Sequence, residues 1–255
     1  NTSFADIEKK ENRKDLIISI CVFLSGFSCF AQLYYFQPLL PDLAKDFILS
    51  ASESSFAISF STLGMVFGLF TTMFVADRIP RKKMIGTGLL SSSIFSVAAS
   101  FSPTFLPLIL LSAAKGFLLS GATSVSMAYI AEEVSSRNKG KIMGLYIAGN
   151  ALGGMAGRVI SSWIGALYTW RIASVSIGLI CALFAILFLL FSPRSTNFMP
   201  RKESFHTLII ANLQLITSKA LIPFYLTGGL ILGVFIQLPG ILSDQSTFQF
   251  PGTLY

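Results

Sequence analysis

Asp77 opens a run in which Arg78, Arg81, Lys82 and Lys83 all follow within six residues. A carboxylate with arginines one and four positions away can form charge-assisted, bidentate pairs, strong when dry and weak when wetted. Such a pair can latch and release without any covalent step. Glycine supplies a second pattern. Gly149, Gly153 and Gly157 recur every four residues with Asn150 and Gly154 beside them, leaving a smooth ridge along one helix face. Small residues at that spacing let helices approach closely in lipid. Two cations, Lys115 and Arg158, interrupt long apolar stretches. A charge there is costly unless it meets water or a partner. Both residues, with the acid Asp42, are therefore candidates for contact with a cargo. Catalysis has no such candidates. Cys21, Cys29 and Cys181 lie in apolar runs, and His206 stands alone in a polar one, so no nucleophile–base pair or metal-ligand spacing occurs. Neither an enzyme nor a cofactor or metal is expected.

The elements that must position these residues are apolar runs long enough to cross about 30 Å of hydrocarbon. Seven are read: 16–37, 54–76, 84–101, 105–131, 142–167, 172–191 and 220–242. The composition agrees, with 53% hydrophobic and 12% charged residues and a mean hydropathy of +0.70. A net charge of +7 does not indicate nucleic acid, because the cations flank the apolar runs and no basic, aromatic-interleaved platform exists.

Their distribution sets an orientation. Lys9, Lys10, Arg13 and Lys14 precede the first span, and Arg78, Arg81, Lys82 and Lys83 follow the second. Arg137, Lys139 and Lys141 follow the fourth; Arg194, Arg201, Lys202 and Lys219 follow the sixth. The alternate loops hold only Lys45 and Arg171. Retention of cations on the cytoplasmic side predicts a cytoplasmic N-terminus and a far-side tail. That orientation excludes seven-helix receptors and rhodopsins, whose N-termini lie outside. The seventh run also lacks the lysine that a retinal would need.

The expected layout is a cytoplasmic segment at 1–15, a six-helix unit at 16–191 and a cytoplasmic linker at 192–219. A seventh transmembrane helix at 220–242 and an extracytoplasmic tail at 243–255 complete it. The class is an all-α membrane protein.

The motifs carry a resemblance. Ala76-Asp77-Arg78-Ile79-Pro80-Arg81-Lys82-Lys83 is similar to the loop signature G-x-L-x-D-R-x-G-R-K of the major facilitator superfamily. Gly149-Asn150-Ala151-Leu152-Gly153-Gly154 resembles the G-P-x-x-G-G signature of its drug:proton antiporter branches, and Gln37-Pro38-Leu39-Leu40-Pro41 is also similar. The likeness covers most of residues 16–242 and points to bacterial inner-membrane transporters. It implies a six-helix bundle built as a 3+3 inverted repeat, with a site at the midplane between two halves. It further implies that Asp77 and Arg81 clamp the halves on the inner side and that the glycine ridge helps close the cavity.

The chain departs from the pattern at Met73 and Pro80, where the loop signature has glycine, and at Asn150, where the fifth-span signature has proline. Ser112 and Lys115 stand where the fourth span of the family has Arg and Gln. No Asp or Glu falls inside a span, so a coupling carboxylate would be a rim acid such as Asp42 or would belong to helices beyond these seven.

The expected function is secondary transport of small molecules, an efflux carrier of antiporter type in a cell membrane. Its expected partners are the lipid bilayer and an anionic or amphiphilic substrate. A full member has twelve spans, so the chain reads as a truncated or split product completed by a missing C-terminal half or by a second copy. The rival expectation is a non-transporting membrane subunit that packs against a partner.

Overall fold

The computed structural model describes residues 4–200, 218, 221–224 and 226–230. Two compact units divide the chain, 1–202 and 203–255. In the first unit the α-helices are α1 (Phe4–Tyr34), α2 (Leu40–Asp46), α3 (Ala51–Ser54) and α4 (Phe56–Val75), then α5 (Arg81–Ser100), α6 (Phe105–Glu133), α7 (Lys139–Leu167) and α8 (Trp170–Phe191). The first six expected spans are α1 and α4 to α8.

Residues 4–15, expected as a separate polar segment, continue the helix of the first span. The Glu- and Lys-rich stretch from Glu8 to Lys14 favours helix and needs no change of backbone. At the other end, Pro38 and Pro41 cannot donate to a helical ladder, and α1 breaks at Tyr34 into a 3₁₀ turn at Gln37–Leu39. Ser50 and Glu53 form a reciprocal capping box that starts α3. Between α2 and α3, Ile48 holds a left-handed φ of 55°, a strained place for a branched side chain.

Among the described residues, four stretches are long and apolar enough to cross a membrane: Glu11–Asp46, Ala51–Arg78, Phe105–Glu133 and Trp170–Phe191. α5 and α7, the expected third and fifth spans, are less apolar because serine interrupts one and glycine the other. In α5 the serines Ser92, Ser93, Ser96 and Ser100 are buried. Each donates its hydroxyl to a carbonyl three or four residues back at 2.6–3.1 Å. The stripe is thus narrow, satisfied and suited to close packing rather than to lipid.

The helices pair as α1 with α7, α4 with α6, α5 with α6, α5 with α8 and α1 with α8. Exchanging the first three spans for the second three maps these five pairs onto one another, as in a 3+3 repeat, whereas the contact of α7 with α8 has no comparable counterpart between α4 and α5. Its two principal seams are made of small residues. Gly149, Gly153 and Gly157 of α7 lie against the backbone of Phe23, Phe27 and Ala31 in α1, and Gly26 of α1 answers opposite Asn150. In the repeat-related seam Gly64 and Gly68 of α4 face α6, and Gly116 of α6 answers against Ser61.

Two apolar clusters lie along α1. One is built around Ile18, Leu89, Tyr129 and Phe188, the other around Tyr35, Leu43, Leu108 and Ile177. Near their junction, Gln32 of α1 is fully buried and accepts from Ser96 at 3.2 Å.

In the second unit, residues 222–224 and 226–230 are helical, with Thr227 donating to the carbonyl of Pro223 at 2.7 Å. Most of the expected linker beyond residue 200, His206, most of the seventh span and the tail lie outside the described residues.

Candidate functional site

The basic rim of the unit is built on Arg81. Pro80 sets the start of α5, so that Arg81 is its first residue and its side chain turns back under the end of α4. The guanidinium donates to Asp77 at 2.9 Å, to the carbonyl of Ala76 at 2.6 Å and to Glu132 of α6 at 3.1–3.4 Å. It also lies 5.0 Å from the centre of the Phe198 ring. Burial works against the Arg81 charge, but hydrogen bonds and charge from Glu132 and Asp77 outweigh it and hold the group above its ordinary pKa. Asp77 and Arg81, expected as an inner clamp, are therefore together, and among the described residues the hydrogen-bond partners of Arg81 all come from the six-helix unit. Lys82 takes another role, donating its ammonium to the carbonyl of Ser192 and its backbone N–H to Ser195 at 3.0 Å. Arg78 is exposed and stands apart from these contacts.

Beside this cluster, Glu133 accepts from Lys14 at 2.8 Å, from Thr196 at 2.8 Å and from the Asn197 N–H at 2.7 Å. Asp15 accepts from the backbone of Ser135 at 3.3 Å and from Asn138 at 2.8 Å, tying α1 to the turn before α7. Tyr129 shares a hydrogen bond with Ser192 and donates to the carbonyl of Pro193, both at 2.8 Å. The segment 192–197 is thereby strapped across the ends of α5 and α6. Sequence reasoning left Glu132, Glu133 and Asp15 without roles. The adjacent pair of acids at the end of an apolar run was the available signal.

Replacing Arg81 by Ala is expected to lower stability by about 2 kcal/mol. That lies between the loss from breaking a buried pair and the near-zero worth of a surface one, because the Asp77 and Glu132 side chains remain 40% and 26% exposed. A thermal midpoint equal to wild type in detergent would refute the buried network.

Toward the opposite rim, Lys115 and Arg158 converge on the end of α1 and the turn that follows it. The Lys115 ammonium sits 4.5 Å from the Tyr35 ring centre and 4.8 Å from that of Phe36. Arg158 stacks 4.7 Å over Tyr34. Lys115 is 1% exposed and has no hydrogen-bond partner among the described residues, whereas Arg158 is partly exposed. Both cations thus rest on aromatic faces next to the break in α1, a favourable contact that strengthens away from water. Asp42 does not join them. It lines a separate depression with Lys45, Gly165 and Tyr168. Asp46, unassigned from sequence, accepts from Trp170 at 2.9 Å and from Arg171 at 3.0 Å, closing the opposite rim.

The fifth-span motif is placed without ambiguity. α7 runs as one helix from Lys139 to Leu167 through Asn150. Gly149, Gly153 and Gly157 are filled by α1, and Gly154 faces Tyr34 and Phe30.

Comparison with known proteins places this geometry. A profile of the Major Facilitator Superfamily matches residues 19–255. The chain is 35% identical, over 93% of its own length, to a protein of Buchnera aphidicola subsp. Schizaphis graminum named as an uncharacterized transporter, covering 57% of it. It is also 35% identical, over 87% of its length, to the inner membrane transport protein YnfM of Escherichia coli, covering 53% of that protein. The chain therefore spans about half the length of the curated relatives it matches. Among solved structures, the proton:xylose symporter XylE superposes with a TM-score of 0.67 at 16% identity, covering 83% of this chain and 51% of that one. The human organic anion transporter MFSD10 gives 0.60 at 18% identity, covering 76% and 52%. At such low identity these two likenesses speak for the fold alone. The profile and the relatives together establish that the chain, an all-helical multi-pass membrane protein, belongs to the major facilitator superfamily.

Proposed function

We propose that the chain forms the N-terminal six-helix half, and the first helix of the next half, of a secondary carrier that exports small molecules by alternating access. In this reading residues 16–191 are the half, with a cytoplasmic segment at 1–15 and a cytoplasmic linker at 192–219. Residues 220–242 are the seventh span and 243–255 a tail on the far side. The cytoplasmic assignment of the basic rim follows from its loop cations. Asp77, Arg78, Arg81 and Lys82 belong to the inner gate. Gly149, Asn150, Gly153, Gly154 and Gly157 keep α7 packed on α1, so that the half moves as one body.

The observation that carries the proposal is the convergence of Arg158 and Lys115 on Tyr34, Tyr35 and Phe36. Cations held in the outer half of apolar helices mark a substrate path more often than a structural need. Positive charge beside aromatic faces suits an amphiphilic anion. In this state Arg158 is the reachable group and Lys115 is covered.

The test is counterflow. Proteoliposomes holding the chain together with the half or second copy that completes it, loaded with unlabelled salicylate, should accumulate labelled salicylate from outside. Arg158→Ala should slow the exchange about tenfold, the worth of one hydrogen bond to a charged group, with unchanged membrane abundance. An equal rate in the variant removes Arg158 from the path. An absence of counterflow across a panel of amphiphilic carboxylates, with co-purification of a second protein, would instead support a non-transporting subunit.

A further inference from the structure

A groove of about 200 Å³ opens on the outer surface of the helix bundle between α4 and α5, with α6 as its floor. It runs from Gly68 to Val75 along α4 and from Ser91 to Met84 along α5, a length of roughly 10 Å at the helical rise. Because α4 ends and α5 begins at the basic rim, the groove lies along the helices and meets that rim at Val75 and Met84.

Its walls contain threonine and serine, yet they present little polarity. Thr71 donates to the carbonyl of Phe67 at 3.0 Å and Thr87 to that of Lys83 at 2.7 Å. Thr72 and Ser120 hydrogen-bond each other at 3.3 Å, and Ser120 also donates to the carbonyl of Phe117 at 2.6 Å. With these hydroxyls donating inside the protein, the groove offers mainly apolar surface from Gly68, Val75, Met84, Phe117 and Leu118, and Ser91 is the wall hydroxyl outside these bonds. A hydrocarbon chain fits the chemistry.

The mouth is different. Arg78, three residues beyond Val75, and Lys83, one residue before Met84, are both exposed. Neither is in an ion pair among the described residues, whereas their neighbours Arg81 and Lys82 are committed to Asp77, Glu132 and Ser192. Two uncommitted cations therefore stand at the end of a methyl-lined slot that runs along the helices. A phospholipid has the same order of parts, a phosphate at the interface and an acyl chain beneath it.

We propose that this groove is a binding site for an anionic phospholipid, with one acyl chain between α4 and α5 and the phosphate held by Arg78 and Lys83. Each basic residue near the surface contributes enough that two together favour an anionic over a zwitterionic headgroup by about 30-fold. The site shares Arg78 with the proposed inner gate, but its test reads lipid binding and not transport, so the two readings fail separately.

The 255-residue chain, purified in dodecyl maltoside, should be titrated with phosphatidylglycerol and with phosphatidylcholine of the same acyl chains. Binding is read by native mass spectrometry and by the thermal midpoint. Phosphatidylglycerol should bind about 30-fold more tightly and raise the midpoint more. The double variant Arg78→Ala, Lys83→Ala should abolish that preference while retaining a weak common affinity. Thr87→Trp, which fills the groove from an exposed position, should lower the affinity for both lipids. Equal affinity of wild type for the two lipids would overturn the proposal. So would equal stabilisation by glycerol 3-phosphate, which lacks acyl chains, or a preference that survives in the double variant.

Discussion

Gly116→Ala is expected to lower stability by at least about 3 kcal/mol, although it adds a single methyl group. The reason is what that methyl would meet. A Cβ at Gly116 would fall on the carbonyl oxygen of Ser61, with its carbon 2.8 Å and the Met65 nitrogen 3.1 Å away. These are backbone atoms of α4, so no rotamer change can relieve the contact. On the same seam Gly64 and Gly68 bring α4 equally close to α6, and the two helices can only separate along their length. In lipid that separation is not opposed by a hydrophobic drive, since the interface is held by packing itself. Gly144→Ala is the control. Nothing lies within 4 Å of a Cβ at Gly144, and alanine gains about 1 kcal/mol of helix propensity over glycine. Thermal midpoints in detergent should separate the two variants by several degrees, with Gly116→Ala the lower. Equal midpoints would mean that the α4–α6 seam is not as close as described.

Glu133→Ala should cost nearly as much, about 3 kcal/mol, by a different route. The side chain is fully enclosed, while its ion-pair partner Lys14 is 34% exposed. Its removal takes the shared acceptor from the Thr196 hydroxyl and the Asn197 N–H, both on exposed residues, and leaves Lys14 to recover water. Breaking a buried ion pair costs 3–5 kcal/mol as a rule, and the partial exposure of Lys14 moves this case to the lower end. The loss has a local signature, because Glu133 ties the strap at 192–197 to the bundle. Trypsin should cleave after Arg194 faster in the variant than in wild type. Glu133→Gln, which keeps an acceptor but loses the charge, should fall between the two. If cleavage at Arg194 is unchanged in Glu133→Ala, the strap is held by Tyr129 and Lys82 alone.

The same contrast bears on Arg81. Its spacing from Asp77 suggested a latch between two halves, but Glu132 of α6 completes its coordination from within one half. A guanidinium with these partners serves first to join α4, α5 and α6. Any contact with another half is added to an arginine already held in place.

Chain crossing and helix content were legible in the sequence because they depend on composition over a window. Twenty apolar residues in a row demand lipid whatever packs beside them, and the basic loops mark one rim regardless of fold. The Asp77–Arg81 pair was equally legible, since a four-residue separation around a helix start leaves the two side chains little choice. The spacing of Gly149, Gly153 and Gly157 announced a close approach but could not name the neighbour. Only the tertiary structure decided that the ridge meets Phe23, Phe27 and Ala31 of α1, that Glu132 and Glu133 face Arg81 and Lys14, and that Lys115 lies buried over Tyr35 and Phe36. These contacts join residues from about 50 to more than 120 positions apart. Periodicity reports which face of a helix is special, while the partner of that face is set by how the helices pack.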